Sequence, residues 1–74
     1  MEEHAPGRPL SIGEFRVRTR FNPSNDSLVD QIKQKSAELI DLCETLKVKD
    51  TRVASLAQTH FEDAAMWAVK AATA

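Results

Sequence analysis

Residues 52–74 read RVASLAQTHFEDAAMWAVKAATA, without a proline or glycine and with alanine recurring at a density that favours helix. Val53, Ala57, His60, Ala64, Trp67, Ala71 and Ala74 step by four and three, the spacing of one helix seam against a partner helix. Ala54, Phe61, Ala65, Ala68 and Ala72 form a second stripe on a neighbouring face. That is more apolar circumference than one partner covers. A chain of 74 residues cannot supply both covers for this helix, so the pattern predicts self-association.

A domain of this size hides only about 60% of the surface its unfolded chain exposes, which leaves its own core marginal. No disulfide can reinforce it, because Cys43 is the only cysteine. Cys43 falls on a helix seam, where a thiol packs as a small apolar residue. The lack of cysteine pairs suits a reducing compartment. A net charge of −1 argues against binding DNA or RNA polymers through their backbones. No apolar run approaches a membrane span, and the acidic start MEEH is not a signal peptide. The expectation is a soluble intracellular protein stabilised by oligomerisation.

Residues 1–13 carry Pro6, Gly7, Pro9 and Gly13 among small and charged residues and read as a flexible lead segment, with His4 solvated. Residues 14–21, EFRVRTRF, alternate: Phe15, Val17, Thr19 and Phe21 against Arg16, Arg18 and Arg20. A period of two predicts an extended arm with the arginines on one side. Either its aromatics dock on the helices while the arginines face water, or an oligomer gathers several arms around an anion that guanidinium groups bind. A lone strand cannot form a sheet. The arm must lie on helices or pair across a subunit boundary.

Residues 22–26 form a turn into a helix, with Ser24 or Asn25 as N-cap and Asp26 near the positive end of its dipole. Val29, Ile32, Ser36, Leu39, Cys43 and Leu46 then step by three and four, widened by Leu28, Ile40 and Leu42. A short connection follows, in which Asp50 or Thr51 can cap the next helix, so the two long helices must be antiparallel neighbours. The predicted fold is all-α: an antiparallel two-helix hairpin over residues 14–74 with a short extended N-terminal arm, assembling into a homo-oligomeric helical bundle.

Catalytic signals are missing. His60, Glu62 and Asp63 are the only cluster resembling a metal or acid–base site, and zinc needs three or four ligands with no second histidine near. No Gly-rich phosphate loop or activated nucleophile is present. No catalytic residue, metal or cofactor is expected, and the protein reads as a binder. Thr59 and His60 place hydrogen-bonding groups in an otherwise apolar helix; His60 is either a satisfied core histidine or a ligand contact. Arg52 shares a face with Thr59 two turns away. Lys33 is either solvated or available to an anion, and Trp67 reads as core.

The turn FNPSND, the helix segments VDQIK and SAELIDLC, and RVASLAQTHFEDAAMWAVKAA together resemble small phage proteins that sponge cyclic-oligonucleotide immune signals. These are the helical-hairpin inhibitors of the cyclic-oligonucleotide-based anti-phage signalling system (CBASS), related to a hairpin in one Thoeris anti-defence protein. The likeness covers residues 21–74, and its most specific part is T-H-x-E-x-A-x-M-W-A at residues 59–68.

The resemblance implies a homohexamer acting in the host cytoplasm, without enzymatic activity, that sequesters cyclic dinucleotides such as 3',3'-cGAMP between protomers. It also implies separate sites for cyclic trinucleotides such as cyclic tri-adenylate. It assigns base stacking to Phe21, where relatives more often carry tyrosine, and a phosphate contact to Lys33, or Lys35 if the register differs. Arg52 would read the larger ring with Thr59 and His60 beside it. A phosphate role for Arg18 or Arg20 comes from the arginine arm, not from the resemblance. Some relatives recognise cyclic ADP-ribose-type signals. Two other readings compete: an Ala-rich hairpin adaptor without a nucleotide ligand, and a DNA-binding regulator using the arginine arm.

Overall fold

The structure is a computed structural model that describes residues 9–23 and 25–74, so His4 and Ser24 lie outside the described residues. It contains helices α1 (Ile12–Val17), α2 (Ser27–Leu46) and α3 (Thr51–Ala72), and no strand among the described residues.

The two long helices follow the sequence pattern. Asp26, not Asn25, caps α2, its carboxylate accepting from Leu28 N at 2.9 Å; Asn25 instead takes a left-handed φ of 56°. Asp50 caps α3 by accepting from Val53 N at 2.9 Å. The connection is short, and Gln58 near the start of α3 meets Ile40 and Glu44 late in α2, so the pair is antiparallel. Gln58 is fully buried, and its amide donates to Ile40 O at 3.1 Å and Glu44 Oε1 at 2.8 Å. That bond and one from Lys47 hold the Glu44 carboxyl below its ordinary pKa.

The extended arm is overturned. Residues 12–17 are helical because Ser11 and Glu14 form a capping box: Glu14 N donates to Ser11 Oγ at 3.1 Å and Ser11 N to Glu14 Oε1 at 2.9 Å. These reciprocal bonds satisfy two of the otherwise free amides at the helix start, a gain that the extended form lacks. The helix also begins inside the stretch read as a lead segment. Gly13 lies so close to α2 that a Cβ would sit 2.0 Å from Ala37 O, and its N–H donates to Asp41 Oδ1 at 2.7 Å. Val17 and Thr19 turn inward, Phe15 points out, and Arg16 pairs with Glu62 across α3.

The core comprises Val17, Ala37, Ile40 and Ala65, with Phe61 packed against it. On α3 the second stripe faces the hairpin, where Ala54 and Ala65 are buried. The first seam faces outward, with Val53 and Trp67 exposed; Trp67 is therefore not core within one chain. On α2 the inward positions are Val29, Lys33, Ala37, Ile40 and Cys43, while Leu39, Leu42 and Leu46 are exposed. Ile40 and Val29 fill the interior beside the small Ala37, Ala54 and Ala65, and Ala37 lies where Gly13 of α1 approaches α2 closely. The molecule measures 37 × 31 × 12 Å, a slab one helix thick.

Gly13→Ala should lower stability by about 1–3 kcal/mol in chemical denaturation, despite the better helix propensity of alanine, because its methyl meets backbone that cannot yield. Thr19 is buried with its hydroxyl unpartnered among the described residues. Thr19→Val should therefore be neutral or stabilising by up to about 1 kcal/mol, where a hydroxyl with a hidden partner would produce a loss.

Candidate functional site

The features that bear on binding gather where α1 ends. Arg18 caps α1 in the left-handed region at φ 58°, which lets its backbone N–H reach Glu14 O and Phe15 O. Thr19 N donates to Glu14 O at 3.1 Å and Phe21 N to Arg18 O at 2.9 Å, folding the chain back over the start of α2. Asn22 Nδ2 donates to Asp26 O and Asp30 Oδ1, each at 2.9 Å, and anchors the approach to α2.

Lys33 rises from α2 beneath this turn. Its ammonium donates to Arg18 O at 3.0 Å and to Phe21 O, and only 7% of the residue is exposed. A cation suits the carbonyl-rich end of a helix. Burial first, and then the neighbouring Arg18 charge, push the Lys33 pKa below its ordinary value, while Asp30 opposes them. The half-exposed ring of Phe21 meets both cations: Arg18 Cζ lies 4.9 Å from its centroid and Lys33 Nζ 5.3 Å.

Two hollows adjoin the corner and share Lys33 and Val69. A cavity of about 260 Å³ runs from Phe21 and Pro23 to Val69 and Thr73 of α3. A cleft of about 390 Å³ lies between α1 and α3, with Arg16, Arg18, Lys33 and Glu62 around an apolar lining that includes Val17 and Met66. Glu62 Oε1 binds Arg16 Nη2 at 2.6 Å and Nε at 2.8 Å, so the Arg16 charge is already paired.

Phe21 and Lys33, named from the sequence, thus converge. Arg20 is exposed in the same turn but lines neither hollow. Lys35 lies two residues from Lys33 and hence across the helix, beside Gln31, Gln34 and Glu38. Arg52, Thr59 and His60 are exposed on α3 and line neither hollow, although Thr59 Oγ1 accepts a long 3.5 Å bond from Arg16 Nη2. The exposure of His60 removes the core-histidine reading for a single chain. The sequence reading did not find the Arg16–Glu62 pair, although the Ser11–Glu14 capping spacing would have turned the arm into a helix and set Arg16 toward α3. Among the described residues no group of three histidines, cysteines or carboxylates could hold a metal, and no helix is long and apolar enough to cross a membrane.

A family model described as "Acb2/Tad1, hairpin domain" matches residues 11–73. Neither a curated protein nor a solved structure gives a match. The family match spans α1, α2 and α3, and the chain belongs to that family. At the level of the family, its members are anti-defence sponges that sequester cyclic nucleotides.

Proposed function

We propose that this member of the Acb2/Tad1 hairpin family binds cyclic dinucleotides such as 3',3'-cGAMP and, at a second site, cyclic trinucleotides such as cyclic tri-adenylate. It holds them uncleaved in the host cytoplasm, so that CBASS effectors are not activated. The observation that carries the reading is the corner where the Phe21 ring meets the Arg18 and Lys33 cations.

A cyclic dinucleotide presents two flat bases and two negative phosphates. A binder needs an aromatic face and cations, and stacking contributes about 1–3 kcal/mol per base. Phe21 supplies the face, and Lys33 and Arg20 bring positive charge to its turn. Lys35 can reach such a ligand only from a second subunit. The second site is formed by Arg52, Thr59 and His60 on the exposed face of α3.

Both sites are shallow in one chain, and a homohexamer would complete them. Support for assembly comes from the slab itself, which leaves Leu39, Leu42, Leu46, Val53, Leu56 and Trp67 exposed on a body one helix thick. Domains normally bury such faces in a second layer. Closed symmetry would repeat Phe21 and Lys33 around a ligand that is itself nearly two-fold. The same apolar faces would equally serve an adaptor without a nucleotide ligand.

A thermal-shift panel separates the two. A hundredfold excess of 3',3'-cGAMP over its dissociation constant stabilises a binder by about 2.7 kcal/mol, and an adaptor by nothing. Phe21→Ala should weaken 3',3'-cGAMP binding roughly tenfold in calorimetry while native mass spectrometry shows the oligomer intact. Arg52→Ala should act on cyclic tri-adenylate alone; an equal loss for both ligands contradicts separate sites.

A further inference from the structure

We propose that Arg18 is the residue that meets a ligand phosphate at this corner, and that Lys33 is a positioning residue that holds Arg18 and Phe21 in place for it. The inference rests on the cyclic-nucleotide reading above.

The argument is one of which donors are free. An ammonium has three N–H groups, and Lys33 directs its own at two backbone carbonyls, Arg18 O and Phe21 O, beneath the turn. With 7% of its surface exposed, it has little left to offer a phosphate. Arg16 also lines the cleft, but the Glu62 carboxylate holds both its Nε and its Nη2. Arg20 lines neither hollow. Arg18 differs from all three. Its residue is exposed, its guanidinium lies against the Phe21 ring at 4.9 Å, and its side-chain N–H groups have no hydrogen-bond partner among the described residues.

Geometry then divides the labour. Lys33 binds the carbonyls of the two residues whose side chains form the platform, so its grip fixes where ring and guanidinium sit. A guanidinium held over a ring by its charge can still turn its edge donors to a ligand, and that planar fork matches phosphate oxygens. A base over Phe21 would thereby bring its phosphate to Arg18. The lowered Lys33 pKa fits a cation enclosed by protein and pressed by Arg18.

The test compares Arg18→Gln and Lys33→Met in the full chain. Without ligand, hydrogen exchange is followed at the Phe21 amide, which donates to Arg18 O, and Phe21 ring signals are followed through alkaline pH. With ligand, calorimetry uses 3',3'-cGAMP. Arg18→Gln should lower affinity roughly tenfold to a hundredfold, the range for hydrogen bonds to charged groups, and leave Phe21 amide protection unchanged. Lys33→Met should raise exchange at that amide and abolish the alkaline movement of the ring signals before any ligand is added. If Lys33→Met does not fold, the wild-type ring signals decide: they should titrate below the usual lysine range, and flat signals overturn the positioning role. Unchanged exchange in Lys33→Met overturns it as well. Affinity that survives Arg18→Gln removes the Arg18 contact alone, whereas a wild-type chain that binds no 3',3'-cGAMP removes the cyclic-nucleotide reading and the Arg18 contact with it.

Discussion

The contact on which the molecule depends is between Gly13 and Ala37. A helix of six residues has no stability of its own, since nucleation costs more than so few hydrogen bonds return. α1 exists because its backbone can rest directly on that of α2, with the Gly13 N–H held by Asp41. Once α1 is seated, its end is fixed at Arg18, and the chain must fold back within reach of Lys33. The cationic and aromatic corner follows from that crossing. A side chain at position 13 would move the whole assembly of donors away from α2.

Much of the hairpin could be read from the sequence. Residues 52–74 lack breakers, α3 runs from Thr51 to Ala72, and the short connection forces the antiparallel pairing. Asp50 was one of two capping candidates and is the cap. α1 was misread because two local signals compete. Alternation from Phe15 to Phe21 suggests a strand, but Ser11 and Glu14 cap a helix just upstream, and capping satisfies amides that alternation does not. At the candidate site, Phe21 and Lys33 were visible as residue types. Their relation was not, because Lys33 engages backbone carbonyls of a turn, and no spacing rule describes a side chain meeting a distant main chain.

Periodicity also leaves open which stripe meets which partner. On α3 two stripes were legible, and only the one with Ala54 and Ala65 is covered within the chain. On α2 the leucines expected inside lie outside, and Ala37 takes the interior. The hairpin is packed through Ile40, Val29 and small residues, with a buried glutamine as its polar tie. The outward leucines and the tryptophan-bearing seam are the faces that the proposed assembly would cover. A slab of 37 × 31 × 12 Å has two broad sides and a thin interior centred on Val17, Ala37, Ile40 and Ala65.

Position 18 is subject to opposing demands. Its backbone is left-handed, a conformation that disfavours most L-residues by about 1–2 kcal/mol and suits glycine or asparagine. Its side chain brings to the aromatic ring a guanidinium that has no hydrogen-bond partner among the described residues. The substitutions that would relax the chain there are the ones that empty the corner of charge. Thermal robustness alone would favour a small residue at this site, so an arginine held in a conformation it does not favour trades backbone comfort for the charge it sets against the ring.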